Sequence, residues 1–164
     1  MRTFSYFILT AYTIASLTAC GFHLRGPSEI PFKSVYIQGN TLTISTDLKK
    51  SLNISNVMLL PSAEGAELLL ELVGEENEKR ILSLAGNGTV NEYELYYRVH
   101  YRTKLIGEPT WSQINTIESR RDFTYSNQAL LAKNQEEEKL NENMHRDVID
   151  RIMRKITALK KQVQ

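Results

Sequence analysis

The clearest pattern along the chain is a strict alternation of apolar and polar residues between positions 93 and 105. One parity carries Tyr93, Leu95, Tyr97, Val99, Tyr101 and Leu105, and the other carries Glu94, Arg98, His100, Arg102 and Lys104. A period of two predicts a β-strand with one face on a core and one face toward water or a polar partner. Gly86-Asn87-Gly88, just before it, tolerates positive φ and predicts a hairpin.

Further strands are predicted on both sides of this segment. Lys33–Gln38 has the β-branched and aromatic content of a first strand, and Val57–Leu60 is a short apolar strand closed by Pro61. Leucines alternate in Glu67–Val73, and a charged stretch, Glu75–Arg80, separates that strand from Ile81–Leu84. After a turn at Gly107-Glu108-Pro109, Trp111–Tyr125 predicts a further, less cleanly alternating strand.

Two helices follow from apolar residues at helical spacing. Ile44, Leu48 and Leu52 predict a short amphipathic helix capped by Ser45, Thr46 or Asp47. From about Gln128 a long stripe begins, formed by Leu140, Met144, Val148, Ile152, Ile156 and Leu159. Because the polar run Asn134–Lys139 precedes the stripe, we expect Leu130 and Leu131 on an irregular first turn. The order predicts an α+β two-layer sandwich, with a mostly antiparallel sheet and both helices packed on one face.

The N-terminus predicts export and anchoring. The apolar run Phe4–Thr18 follows Arg2 and, at about 15 residues, is shorter than the ~20 needed to cross a bilayer. It ends in Leu17-Thr18-Ala19-Cys20, which resembles a bacterial lipobox. We therefore expect residues 1–19 to be a lipoprotein signal peptide, Cys20 to be acylated, 20–32 to form the tether and 33–164 a single domain. The alternative is an ordinary signal peptide cleaved beside a chance cysteine.

Composition limits the classes of partner. Removal of residues 1–19 takes away Arg2, one of 20 basic side chains, and no acid, which leaves 19 basic against 19 acidic side chains. A near-neutral exported chain argues against nucleic acid. Cys20 is the only cysteine, so its acylation leaves none for a disulfide or a thiol nucleophile. The residue that follows Cys20 is Gly21 and not an Asp. By resemblance to lipoproteins of two-membraned bacteria, this suggests transport to the outer membrane.

Enzymatic chemistry is not visible in the sequence. His23, His100 and His145 are scattered and have no second histidine at metal-ligand spacing. No nucleophile motif and no phosphate loop occurs, so we expect no catalytic residues, no metal and no cofactor. His145 and Asp147 are two residues apart on a helix and do not face each other, which favours a surface histidine.

Two stretches resemble the LptE family of lipopolysaccharide-assembly lipoproteins. The first is Cys20-Gly21-Phe22-His23-Leu24-Arg25-Gly26, and the second is Arg121–Lys133 with the acidic run that follows. Asn87-Gly88 followed by Glu92-Tyr93 is similar to the family's central hairpin. The resemblance implies a non-enzymatic protein of the outer membrane that plugs the lumen of the LptD barrel, helps it assemble, and takes part in lipopolysaccharide binding and insertion. The alternative is a freestanding envelope lipoprotein that binds lipid or peptidoglycan.

The resemblance also implies candidate contacts with the anionic glycolipid. Lys133 matches a basic position of the family and is the first candidate. The family places a basic residue just before the hairpin Asn-Gly, where this chain has Gly86, so Lys79 or Arg80 is expected to substitute. Arg120 and Arg121 are further candidates, although strand arginines paired with a carboxylate at the edge of the core fit the sequence better. The polar strand face of Arg98, His100, Arg102 and Lys104 suits either a barrel lumen or lipid phosphates, although an ordinary solvated sheet face fits the same pattern.

Overall fold

Five strands and two helices make up the fold in a computed structural model that describes residues 30–126 and 129–159. In chain order they are β1 (Ser34–Gly39), α1 (Ile44–Ile54), β2 (Met58–Leu59), β3 (Leu68–Leu84), β4 (Val90–Leu105), β5 (Asn115–Thr124) and α2 (Leu130–Leu159). The predicted signal peptide, Cys20 and most of the tether lie outside the described residues. No helix in the described ranges combines the length and apolarity needed to cross a membrane.

The strands form one sheet in the order β2-β1-β3-β4-β5. β1 runs parallel to both β2 and β3, whereas β3–β4 and β4–β5 are antiparallel and much longer. The predicted mostly antiparallel sheet is confirmed. The parallel pairs follow from α1, because that helix carries the chain back along the sheet before β2 begins.

Both helices share a core with one face of the sheet. α1 contributes Ile44, Leu48 and Leu52, and α2 contributes Met144, Val148, Ile149, Ile152 and Ile156, all buried with the apolar parity of β4. The other parity of β4 faces away from the helices. The predicted two-layer α+β sandwich is therefore confirmed, and the face opposite the helices, here called the open face, carries the polar side chains.

The prediction of two strands separated by Glu75–Arg80 is wrong. β3 is continuous from Leu68 to Leu84, with a register shift between Leu72 and Gly74. The charges do not break the strand, because Glu76 and Glu78 pair with Arg98 of β4 on the open face. On the other face, Glu75 binds Thr43, which precedes α1, and Lys79 pairs with Glu137 of α2.

The predicted cap of α1 is also wrong, since the helix begins at Ile44 after Thr43, whose side chain makes no capping bond to the helix. Glu75 of β3 supplies the cap instead. Its carboxylate accepts the Thr43 backbone N–H at 2.7 Å and also the Thr43 hydroxyl. A carboxylate at a helix N-terminus also interacts favourably with the helix dipole. A neighbouring strand therefore supplies a cap that local sequence rules cannot find.

The hairpin and the start of the long helix complete the fold. The predicted turn at Gly86-Asn87-Gly88 is confirmed: Gly88 has φ +81°, and its N–H donates to the carbonyl of Ala85 at 2.9 Å. α2 begins at Leu130, so Leu130 and Leu131 lie in the helix itself and not on an irregular turn. Their side chains remain exposed because the stripe that packs on the sheet starts later.

Candidate functional site

The long strands β3 and β4 extend past β1 and β2 at one end of the molecule. β1 pairs with β3 only from Leu68 to Leu72, so the remaining part of β3 has β4 as its single strand neighbour. The turn between these strands, the end of β5 and the start of α2 all lie at this end, here called the hairpin end. Two of the predicted lipopolysaccharide contacts, Lys79 and Lys133, are found there.

Lys79 projects from β3 toward the helix layer over a group of aromatic rings. Its ammonium lies 4.2 Å from the centre of the Tyr93 ring and 5.5 Å from that of Phe123, and it pairs with Glu137 of α2 at 2.5 Å. Tyr93 stacks on Phe123 and meets Tyr125 edge to face. A cation over an aromatic face is attracted by the ring quadrupole. Lys79 thus joins the sheet to the first half of α2.

Lys133 lies in the first turn of α2 and contacts Thr124, the residue that follows Phe123 in β5. Its ammonium donates to the hydroxyl of Thr124 at 3.1 Å and pairs with Glu136 at 2.7 Å. The Lys133 side chain is 19% exposed, and the Glu136 side chain is 45% exposed. The structure thus places Lys79 and Lys133 on opposite sides of the Phe123–Thr124 strand end.

Exposed aliphatic side chains surround these lysines at the hairpin end: Ile81, Leu82, Leu84, Leu130 and Leu131. Ile81 is 57% exposed and Leu131 is 81% exposed. Single exposed apolar residues need no explanation, but five at one end of a small domain suggest a binding surface. We call this surface, with the aromatic rings and the two lysines, the amphipathic end.

Two further predicted contacts, Arg121 and Arg80, lie elsewhere. Arg121 faces the middle of α2, where it donates to the Ser119 hydroxyl at 3.4 Å and lies 3.9 Å from Asp147. Arg80 is on the open face and forms a two-pronged pair with Glu78, at 2.6 and 2.7 Å. Neither contacts the rings beside Lys79 and Lys133.

The open face carries Arg98 at its centre, in a network that crosses three strands. Its guanidinium donates to Glu118 of β5 and lies 3.3 Å from Glu78 and 3.5 Å from Glu76, both of β3. It also stacks on Tyr96, 4.8 Å from the ring centre. The hydrogen bond to Glu118 is the main cause that raises the pKa of Arg98.

The neighbours of Arg98 follow the same arrangement. Arg102 pairs with Glu71 and stacks on Trp111, whereas His100 accepts or donates at Thr116 (2.8 Å) and lies 3.4 Å from Glu76. Lys104 donates to the carbonyl of Pro109 at 3.2 Å. Arg120, also on this face, pairs with Glu94 at 2.7 Å.

This face is therefore a lattice of paired charges. Among the described residues, each arginine of this face has a carboxylate partner, whereas Lys104 donates to a backbone carbonyl, that of Pro109. Exposed pairs of this kind contribute little to stability. They do order the long side chains, and they offer donors and acceptors alternately to a polar surface placed against them.

The interpretation of His145 as a surface histidine is wrong. Its side chain is only 22% exposed, and the ring stacks on Tyr97 with centres 5.5 Å apart. Asp147 lies on another side of the helix and pairs with Arg151 at 2.9 Å. Within the parts of the chain that the structure describes, no three His, Cys, Asp or Glu side chains are grouped to hold a metal ion.

Comparison with known proteins gives a consistent result for sequence and structure. Residues 32–156 match the family model described as LptE, lipopolysaccharide-assembly. The "LPS-assembly lipoprotein LptE" of Photorhabdus laumondii is 24% identical over 93% of this chain and 85% of its own length. The protein of the same name from Yersinia enterocolitica is 23% identical over 97% of this chain and 78% of its own length.

Solved structures share the fold. The solution NMR structure of uncharacterized lipoprotein B from Nitrosomonas europaea has a TM-score of 0.76 at 35% identity, and the match covers 86% of this chain and 93% of that one. The crystal structure of rare lipoprotein B from Shewanella oneidensis has a TM-score of 0.71 at 27% identity, with 79% and 98% covered.

Proposed function

Because the chain belongs to the LptE family of lipopolysaccharide-assembly proteins, we propose that it plugs and helps to assemble the LptD β-barrel translocon of the outer membrane. In this proposal residues 1–19 are a cleaved signal peptide, and acylated Cys20 anchors the protein to the outer membrane. Residues 20–32 form the tether that links Cys20 to the single domain, 33–164. The role is non-enzymatic: the protein binds lipopolysaccharide and presents it for insertion into the outer leaflet.

The amphipathic end is the observation that best supports lipid binding. Lipopolysaccharide joins anionic phosphates to acyl chains, so a matching surface needs cations beside apolar side chains. Lys79 and Lys133 provide the cations, and Ile81, Leu130 and Leu131 provide exposed aliphatic surface around the aromatic rings. We propose that these residues form the lipopolysaccharide contact, with Arg80 and Arg121 outside it.

Lys133 is better placed than Lys79 for a phosphate. Both ammonium groups have two partners, but those of Lys79, the Tyr93 ring and Glu137, join the sheet to α2, whereas Lys133 contacts the Thr124 hydroxyl and a carboxylate of its own helix. Lys133 pairs with Glu136, an exposed carboxylate three residues along the same helix, and such pairs are worth only about 0.3–0.5 kcal/mol. A doubly charged phosphate would displace Glu136 readily.

The open face is the surface that we propose to lie against the barrel wall. The lumen of a large barrel is polar, and the inward side chains of its strands alternate with the lipid-facing ones. A flat lattice that presents Arg98, His100, Arg102 and Lys104 between carboxylates can exchange hydrogen bonds with such a wall without burying a net charge.

A pair of charge-reversal variants tests the lipid site. Lys133→Glu should weaken the binding of purified mature protein to lipopolysaccharide by about ten-fold, the value of one lost charge-assisted contact. Lys139→Glu is the matched control, because it makes the same change on an exposed part of α2 away from the rings, and it should alter binding less than about two-fold. Displacement of a fluorescent lipid A probe measures both affinities, and circular dichroism checks the fold.

Unchanged binding of Lys133→Glu, with its fold intact, would remove Lys133 from the site. An equal loss in both variants would show that lipopolysaccharide responds to the overall charge of α2, which would also contradict a defined site at the hairpin end.

A further inference from the structure

The most unusual polar group in the described residues is the Nε2 atom of His145. It is buried and makes no hydrogen bond, although an Asp47 carboxylate oxygen of α1 lies 3.5 Å away, within ion-pair distance. His145 lies at the base of a polar groove of about 830 Å³ between the first half of α2 and the sheet. Buried polar atoms without a partner are rare in folded proteins, and each needs a physical reason.

The other ring nitrogen identifies which tautomer is present. Nδ1 of His145 lies 3.3 Å from the Tyr97 hydroxyl, and that hydroxyl also lies 2.6 Å from Glu75. Burial first, and then the hydrogen bond to Glu75, raises the pKa of Tyr97, so its single proton stays on the oxygen. Glu75 is ionised and can only accept. The Tyr97 hydroxyl therefore donates its hydrogen bond to Glu75, and Nδ1 of His145 must be the donor to the Tyr97 oxygen.

This assignment leaves Nε2 of neutral His145 as a bare acceptor facing another acceptor. The Asp47 carboxylate cannot donate, so the two groups repel across 3.5 Å. The alternative, in which Tyr97 donates to His145, exchanges a hydrogen bond of 2.6 Å to a carboxylate for one of 3.3 Å to an imidazole. Because charge-assisted short bonds are about twice as strong as neutral ones, the first arrangement prevails.

We propose that His145 and Asp47 form a proton-binding site that fastens α1 to α2. Nε2 is closed to solvent, so water cannot satisfy it, whereas a proton can bind there and be shared with Asp47. Proton uptake converts the repelling contact into an ion pair between the two helices. At low pH the ion pair between His145 and Asp47 holds α1 against α2, and at high pH the repulsion between the same two groups opposes that packing.

Other charged groups around His145 set the background for this site. Lys50 of α1 pairs with Asp47 at 2.8 Å and holds that carboxylate ionised, which lowers the pKa of Asp47. Glu142 and Arg146 of α2 line the groove with opposite charges, and β3 contributes the neutral Asn77 there and Glu75 through Tyr97. Asp47 is thus the charged group that lies within ion-pair distance of Nε2.

His145 lies at the boundary between the first half of α2, which has no buried residue, and the second half, which packs on the sheet. Every buried residue of α2 lies from Met144 onward, whereas the half that carries Lys133 and Glu137 lies over the groove. Formation of the ion pair between His145 and Asp47 therefore holds the end of this first half of α2 against α1, and loss of the ion pair removes that contact.

Three variants of the mature protein test the proposal through stability against pH. As pH falls from 8 to 5, the folding equilibrium constant of the wild type should rise relative to His145→Gln by about five-fold, the range of one partly exposed ion pair. Asp47→Asn should show no such rise relative to His145→Gln as pH falls. It should also be more stable than the wild type at pH 8, because the Asn amide can donate to Nε2. Lys50→Gln is the matched control: it removes the Lys50–Asp47 pair but keeps the pH effect of His145.

The tautomer provides a second readout that does not depend on stability. We expect ¹⁵N chemical shifts of the His145 ring at pH 8 to show hydrogen on Nδ1 and none on Nε2. Hydrogen on Nε2 at pH 8 would overturn the proposal, since Tyr97 would then donate to His145. Parallel pH profiles of the wild type and His145→Gln would overturn it as well.

Discussion

Glu75 illustrates how much one side chain contributes in this small domain. Burial of its carboxylate opposes ionisation, but hydrogen bonds from the Thr43 hydroxyl, the Tyr97 hydroxyl and the N–H groups of Thr43 and Ile44 outweigh burial and hold the pKa of Glu75 below its ordinary value of 4.5. The same bonds cap α1 and fix the proton of Tyr97. Sequence rules treat Glu75 as part of a charged stretch, because its partners lie 22 and 32 residues away.

The lowered pKa gives Glu75 a defined effect on acid stability. A group whose pKa is lower in the folded state stabilises the protein above its unfolded pKa, and that contribution disappears as pH falls below about 4.5. Glu75→Gln should cost about 1 kcal/mol at pH 7 and should make stability less dependent on pH between 5 and 3. Urea unfolding at several pH values measures this. Glu138→Gln, an exposed carboxylate of α2, should change neither quantity, and an equally steep acid limb in Glu75→Gln would contradict the account.

Gly39 is required by backbone conformation at the end of β1. It has φ +98°, and a Cβ placed on it would lie 2.3 Å from the carbonyl oxygen of Leu72, which already accepts the Asn40 N–H. Gly39→Ala should therefore destabilise the protein by about 2–4 kcal/mol in chemical unfolding. Gly86→Ala is the control, since open space surrounds Gly86, and it should change stability by less than about 1 kcal/mol. A small effect at Gly39 would contradict the close approach of β1 and β3.

At the scale of elements, periodicity predicts the pieces whose burial is regular. β4 follows from alternation alone, because one of its faces is buried along nearly its whole length. β3 does not, because its second half meets charged partners on both faces instead of a core. β2 and β5 are also shorter than the segments predicted for them, Val57–Leu60 and Trp111–Tyr125. A strand ends where its pairing with a neighbour ends, and composition does not show that point.

The two halves of α2 should respond differently to truncation. Ile152 is fully buried against the sheet, so Ile152→Ala should cost about 2–5 kcal/mol of unfolding free energy. Leu131 is 81% exposed, so Leu131→Ala should leave stability within about 0.5 kcal/mol but should weaken lipopolysaccharide binding. Thermal unfolding and the lipid A displacement assay measure the two effects. A large stability loss in Leu131→Ala would show that the first half of α2 packs more closely than the structure indicates.

For the whole molecule, the resemblance of two segments near the chain ends predicts the family and its fold. The arrangement of the candidate residues in space depends on the topology. Lys79 and Lys133 meet at one end because β3 and α2 both reach it, and they are 54 positions apart in the sequence. Arg80 is next to Lys79 in sequence but lies on the opposite face, because successive side chains of a strand alternate. Sequence alone therefore predicts the cations but not their grouping.

We propose that the domain fills a barrel, with its open face against the wall. Lys104→Glu tests the face, since Lys104 donates to a backbone carbonyl and, among the described residues, its loss breaks no ion pair of the lattice. Lys49→Glu, an exposed lysine of α1 on the helix layer, is the matched control.

The most direct measurement is purification of the tagged, lipidated protein from outer membranes in mild detergent, followed by mass spectrometry of what accompanies it. We predict one large barrel protein in a fixed one-to-one ratio with the wild type and with Lys49→Glu, and a reduced ratio with Lys104→Glu. Recovery of the wild-type protein alone in every detergent tried would contradict the account.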